Sequence, residues 1–341
     1  AARAAAENYP FCTIEPNVWM VPLADERLEK ISSIFRPKKI TPTAVEFVDI
    51  AGLVAGASKG AGLGNQFLGH IRNVDAIVQV IRCFEDPDVV HVAGGVNPAR
   101  DIEVINTELA LADLDTIGKK IAKVEKQAKG GDEEAKGILA VCLKVQSALN
   151  EGQPARLLPL TPEEKAVLAD SFLLTLKPTL YVANVSEKEI SGSPFVEKVR
   201  QIASSEGETV VVVMSGKLES EIAELAADER GTFLHDLGLK EAGLDRLGRA
   251  GYKLLGLVTF FTAGEKEVRA WTIQDGFRAP QAAGTIHSDF ERGFIKAECY
   301  HYNDLLTYGS EAKVREAGKM RLEGKEYVVR DGDILFFRFN V

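Results

Sequence analysis

Val45-Glu46-Phe47-Val48-Asp49-Ile50-Ala51-Gly52 is the stretch that decides the fold class of this chain. An apolar run closes on an acid, and a small residue and a glycine follow at once, which reads as a strand entering a tight loop. Ala76–Ile81, Thr179–Asn184 and Val210–Val213 have the same character. Each is β-branched, lacks polar alternation and sits between helical stretches, the pattern of buried parallel strands in an α/β sheet. Asp49, Asn184 and Ser215 wait at the C-terminal ends of such runs, where open α/β sheets bind ligands.

The text changes between Asp101 and Asn150. Ile102, Ile105, Leu109, Ala112, Ile117, Ile121 and Val124 recur at helical steps, Gly130-Gly131-Asp132 interrupts, and Ile138, Val141, Cys142, Val145 and Leu149 resume. Two amphipathic helices joined at a Gly-Gly turn form an antiparallel hairpin with Asp132 as N-cap. The charged run Lys119 through Lys129 reads most simply as a solvated helix face, and otherwise as a partner-binding one. After Gly256 come Val268–Ile273, Ile295–Tyr302, Tyr327–Val329 and Ile334–Phe339, separated by turns such as Arg330-Asp331-Gly332-Asp333. Short strands with a helix between them predict a separate α+β domain.

Composition narrows the function. The 341 residues are 45% apolar and 27% charged, an ordinary globular balance with room for two or three domains. A net charge of -9, from 41 basic and 50 acidic residues, excludes a general nucleic-acid coat and confines any RNA contact to a local patch. Four scattered cysteines contain no CxxC pair, which argues against a disulfide framework or a metal cluster and fits a reducing compartment. No apolar run is long enough to span a bilayer and no signal peptide opens the chain, so a cytoplasmic protein without a membrane partner is expected.

Four motifs carry chemistry. Asp49-Ile50-Ala51-Gly52 is a DxxG after a strand; in switch NTPases its Asp organises a Mg2+-bound water and its Gly amide senses the γ-phosphate. Standing alone it could be an ordinary turn, but the Gly-rich Lys59–Asn65 follows where a switch loop belongs. Asn184-Val185-Ser186-Glu187 ends a strand where GTPases place NKxD. Val185 replaces the lysine that lies on the base, and the longer Glu187 carboxylate misses the guanine edge. An unpaired carboxylate discriminates strongly, so specificity leans to ATP over GTP. Ser215-Gly216-Lys217 is placed for a backbone contact to the base. Thr13, in the Pro-bounded loop Asn8–Asn17, sits where a switch threonine completes Mg2+ coordination, although by itself it is a loop hydroxyl.

Together these residues resemble the Obg-like ATPase (YchF) family over essentially the whole chain. The matching strings are long: NYPFCTIEPN at 8–17, EFVDIAGLV at 46–54, GLGNQFL at 62–68, NTELALADLD at 106–115, KPTLYVANVSE at 177–187, FFTAGEKEVRAWT at 260–272 and RLEGKEYVVRDGD at 321–333. The resemblance implies an α/β P-loop NTPase (G-domain) parallel sheet with a helical-hairpin insertion, plus a C-terminal α+β β-grasp (TGS) domain. The expected bounds are 1–100 with 172–257 for the G domain, 101–171 for the helical arm and 258–341 for TGS. It further implies hydrolysis of ATP with Mg2+, and partners in the ribosome (large subunit) and its RNA, reached through the TGS domain and the arm.

Carried over residue by residue, Thr13 resembles the Mg2+ ligand, Asp49 and Gly52 the γ-phosphate sensor, and Asn184, Val185 and Glu187 the altered base-reading motif, with Ser215 and Gly216 beside it. Leu53 stands where Ras-like enzymes keep a water-orienting Gln, so another group must orient water. His91 is preferred over His70, and a structural loop histidine is the other reading. The family's G-x-x-x-x-G-K-[ST] loop does not occur in this sequence, so the chain as written is expected to bind and hydrolyse ATP poorly. A non-catalytic RNA- or ribosome-binding adaptor is therefore the alternative, and a GTPase a third. Between Val258 and Val341, 12 Lys and Arg face 13 Asp and Glu. Arg269, Arg278, Arg292, Lys296, Lys319, Arg321, Lys325 and Arg330 interleave there with Trp271, Phe277, Phe294 and Tyr327, a mixture suited to phosphate contacts and base stacking if the side chains share a face.

Overall fold

A computed structural model describes residues 17–50, 63–86, 95–207 and 209–340. The chain divides into two compact units, Ala1–Trp19 with Val48–Leu244, and Met20–Phe47 with Asp245–Val341.

The first unit is built on a three-stranded parallel sheet in the order β4 (Ile77–Arg82), β5 (Thr179–Asn184), β6 (Val211–Met214). β5 is the central strand and its first five residues are buried. Helix α6 (Pro194–Ser205) starts on the Ser193 cap with proline in its first turn and lays Val196, Val199 and Ala203 on the sheet beside Ile81, Tyr181 and Ala183. The run at 45–49 departs from expectation. β3 (Ala44–Asp49) pairs with β1 (Asn17–Pro22) in a separate two-stranded sheet, with Val45 buried and Glu46 and Asp49 exposed. An apolar run too short to show alternation does not distinguish a buried strand from one covered on a single side.

Between β4 and β5 stands the helical hairpin. α3 (Pro98–Lys129) is capped by Asn97, and α4 (Glu133–Asn150) by Asp132, whose carboxylate accepts from the Ala135 N–H at 3.1 Å. Gly131 takes φ 93, a left-handed turn conformation in which a side chain would be strained. Ala110, Ile117, Cys142, Val145 and Leu149 form the seam between the helices. Lys119 and Lys129 pair along the helix with Asp115 and Glu125, as on a solvated face. At the hairpin's foot, fully buried Asp113 accepts from the Leu174 N–H (2.9 Å), the Thr175 N–H (2.7 Å) and the Thr175 hydroxyl (2.6 Å). Those residues form the 3-10 turn Leu174–Leu176 that leads into β5. A second junction gathers on Glu206, which accepts from the Tyr181 hydroxyl and the Arg156 guanidinium, each at 2.8 Å.

The second unit carries a six-stranded sheet in the order β10 (Arg321–Glu323), β9 (Phe294–His301), β11 (Asp333–Phe339), β7 (Leu257–Ala263), β8 (Glu267–Gln274), β2 (Lys39–Thr41). β7 and β8 form a hairpin, and β11 returns to lie parallel to β7 and antiparallel to β9. β7 and β11, the first and last strands of the segment after Gly256, thus sit side by side at the centre, the arrangement of a β-grasp. Ala279, Ala282 and Ala283 of α10 (Ala279–Ile286) pack on one face with Phe260, Leu335 and Phe337. α1 (Glu26–Phe35), α12 (Tyr302–Tyr308) and α13 (Glu311–Glu316) cover part of the other with Leu28, Ile31, Leu305 and Val314. β2 extends the sheet parallel to β8, and β10 closes the opposite edge. Tyr327–Val329 makes only an isolated bridge, Val328 to Arg278, and the Tyr327 hydroxyl donates to Asp333 at 2.6 Å. Among the described residues no helix is long and apolar enough to cross a membrane.

Removing the Asp113 carboxylate strands two backbone donors and a hydroxyl where water does not reach. Asp113→Ala is expected to lower unfolding stability by about 3 kcal/mol, read from urea denaturation. Asp113→Asn, which keeps one acceptor oxygen, is expected to lose less.

Candidate functional site

The C-terminal ends of β4, β5 and β6 form a polar crest. Parallel pairing in register sets Arg82 beside Asn184 and Asn184 beside Met214. Beyond β5 the chain turns into a short 3-10 segment, Glu187–Glu189, and beyond β6 into helix α7 (Gly216–Glu224), which is capped by the Ser215 hydroxyl accepting from the Leu218 N–H.

Two bonds join these loops. The Gly216 N–H donates to Asn184 Oδ1 at 2.9 Å, and Lys217 Nζ lies 3.3 Å from Glu187 Oε1. The helix start and the strand end therefore form one surface. Asn184, Glu187, Ser215 and Gly216 come together as the sequence suggested, but their side chains do different work. Ser215 is buried in its capping role, whereas Glu187 and Lys217 reach into solvent. The Val185 side chain points inward, buried among Ala183, Val196 and Val199, and its N–H donates to Met214 O. Only the backbone of Val185 is available at the crest.

Behind the crest, buried Glu219 accepts from the Gly243 and Leu244 N–H groups at 2.7 and 3.1 Å, satisfying amides at the start of α9 (Gly243–Leu254). A Cβ at Gly243 would lie 2.6 Å from Glu219 Oε1 and 2.7 Å from Met214 Cβ, so only glycine fits there. Neither Glu219 nor Gly243 is a sequence motif, because their partnership spans 24 residues and a helix–loop–helix turn. At the end of β4 the Arg82 guanidinium donates to Phe84 O (3.0 Å) and Asp86 O (3.2 Å) and lies over the Phe84 ring, fixing the loop that leaves the strand. Cys83, next to it, is no nucleophile. Burial first, and then Glu189 and Asp101, push its thiol up to about 12.

Asp49 ends β3 with an exposed side chain. Thr13, Gly52, Leu53 and His91 lie outside the described residues. His70 lies in the last turn of α2 (Leu63–Arg72).

Comparison with known proteins accords with this architecture. Residues 1–114 match the family described as 50S ribosome-binding GTPase, and residues 257–340 match the YchF-GTPase C-terminal family, described as a protein of unknown function. Over 336 residues the chain is 56% identical to the ribosome-binding ATPase YchF of Escherichia coli O157:H7, covering 98% of this chain and 92% of that protein. It is 54% identical over 343 residues to the protein of the same name from Bacillus subtilis, covering 100% and 93%. The solved structure of the Schizosaccharomyces pombe YchF GTPase matches with a TM-score of 0.86 at 37% identity, covering 98% of this chain and 90% of that one. The fold is that of a P-loop NTPase G domain with a parallel sheet, a helical insertion and a C-terminal domain.

Asn184→Ala removes the acceptor that fixes Gly216. It is expected to cost about 1–2 kcal/mol of stability in thermal or urea unfolding and to speed amide exchange at 214–218. Unchanged exchange there would mean that the bond does not hold the loops together.

Proposed function

The chain belongs to the YchF family, and from that membership we propose a Mg2+-dependent ATPase switch that works on the ribosome. In this reading residues 1–100 and 172–257 form the G domain, 101–171 a helical arm and 258–341 a TGS module. The relatives named above are called ribosome-binding ATPases, and the N-terminal family is described as 50S ribosome-binding, which supports the large subunit as partner.

The observation that carries the nucleotide preference is the pairing of Glu187 with Lys217. In a guanine site the carboxylate of this loop takes two N–H bonds from the base edge. Here the carboxylate is one methylene longer and is engaged by a cation, and Val185 supplies no charged stem to lie on the base. Adenine asks for a donor to a ring nitrogen and an acceptor for its amine. The amide half of Asn184 and the nearby backbone meet that requirement, and guanine is left without its partner.

Asp49 offers a hard carboxylate oxygen at a strand end, which suits Mg2+ held through water, with Thr13 as the second protein group. Among the described residues no group of three His, Cys, Asp or Glu could hold a metal. When bound, Mg2+ supplies charge that offsets the phosphate oxygens. The Gly52 amide senses the γ-phosphate. Leu53 cannot orient water, so His91 takes that role, with the crest fixing the base end of the nucleotide.

Phosphate release by the purified full-length protein tests this proposal. Steady turnover of ATP with Mg2+ is expected. His91→Ala should lower turnover at least about tenfold with nearly unchanged ATP affinity, because a water-orienting group acts mainly in the transition state. Ribosome cosedimentation without any ATP turnover would instead favour the adaptor reading.

A further inference from the structure

One apolar cluster joins four parts of the first unit. Leu68 and Ile71 of α2, Leu109 and Ala112 of α3, and Leu174 of the turn before β5 are buried together, and Ile50 packs against them. Ile50 directly follows Asp49, and α2 begins within the Gly-rich stretch that comes next in the chain. The strand end read as the phosphate sensor, and the helix after it, therefore share one core with the root of the helical hairpin.

Polar bonds latch the same seam. Arg72, the last residue of α2, donates to the Thr116 hydroxyl at 3.1 Å, and that hydroxyl donates to Ala112 O, one turn back in α3, at 3.1 Å. Lys177 Nζ donates to Arg72 O at 3.1 Å and also to Val74 O, so it satisfies carbonyls left open where α2 ends. The end of α2 is thus tied to α3 by its side chain and to the entry of β5 by its backbone.

Beyond the latch the same helix carries a second seam. α3 runs unbroken from Pro98 to Lys129, and Ile117, the residue after Thr116, packs among Cys142, Val145 and Leu149 of α4. At 1.5 Å per residue the helix extends about 20 Å past Thr116. Close-packed side chains do not deform continuously, so a shift of Leu68 and Ile71 must carry Leu109 and Ala112 with it or break the cluster. A small tilt at the root becomes a larger displacement at the far end of the hairpin.

We propose that the α2–α3 seam, latched by Arg72 and Thr116, is a transmission joint through which the phosphate-sensing end and the helical arm bias each other. The joint rests on the reading that nucleotide binds at that end and that the ribosome is met through the arm. Such coupling is reciprocal: nucleotide alters the root of the arm, and a partner on the arm alters α2.

Hydrogen exchange read by mass spectrometry on the full-length protein tests the joint, with ADP, ATPγS and purified ribosomes as separate ligands. Replacing ADP by ATPγS should change amide exchange at 67–72 and at 105–118 together, by at least about threefold. Thr116→Val removes the latch at nearly constant volume and should lower the melting temperature by no more than about 4 °C. It should keep the response at 67–72 and cut that at 105–118 at least about twofold, while Thr116→Ser, which keeps the hydroxyl, should behave as the parent. A response at 67–72 with none at 105–118 in the parent would overturn the joint, as would an unaltered response in Thr116→Val. If no nucleotide binds, the ATPase reading falls and ribosomes decide. Slowed exchange that spreads from the arm to 67–72 would then support the joint, and protection confined to 117–150 would overturn it. Binding of neither ligand would sink both readings.

Discussion

A carboxylate buried away from water must find its hydrogen bonds inside the protein, and Asp113 finds three of them on one turn, Leu174–Leu176. That turn delivers the chain to β5, the central strand of the parallel sheet, so the clamp sets where the strand begins. Asn184, the sixth and last residue of the strand, emerges at the crest and takes the Gly216 amide. The position of the base-side loop therefore follows from a hydrogen-bonded carboxylate at the opposite end of the same strand. The clamp also ties the helical hairpin to the sheet, because Asp113 belongs to α3 while its donors belong to the segment that follows the hairpin.

The parts of this arrangement set by local chemistry were legible in the sequence. The β5 run, the Gly-Gly turn and the Asp132 cap each depend on residues within a few positions, and each appears where periodicity and turn chemistry put it. Asn184 and Ser215 were legible as polar residues at strand ends. The inward turn of Val185 was not, because a loop position conceals the cavity its side chain fills. Glu219 and Gly243 were invisible for a related reason: a buried carboxylate and a glycine with no room for a methyl group look ordinary until the helices carrying them are brought together.

Longer separations concealed more. Residues 20–47 lie in sequence between the Thr13 loop and Asp49, yet they belong to the second compact unit. There β2 pairs Lys39–Thr41 with Glu267–Arg269, and Arg27 reaches Asp331 at 2.6 Å. No periodicity within a three-residue strand announces a partner more than two hundred positions away. The aromatic content of the C-terminal unit misled for the opposite reason. Composition counts Phe294 and Tyr327 as stacking groups, but alternation along β9 and the Tyr327–Asp333 bond take them inside, and Phe336 is left outside.

The proposed specificity turns on a difference of one methylene and one ion pair at Glu187. A site that discriminates by leaving a polar edge unpaired separates ligands more strongly than one that relies on fit alone. Competitive displacement of a fluorescent ATP analogue by ATP and by GTP, in Mg2+ and with the full-length protein, tests this most directly. The account predicts that ATP displaces the probe at a concentration at least about tenfold lower than GTP. Displacement by GTP at an equal or lower concentration would contradict it.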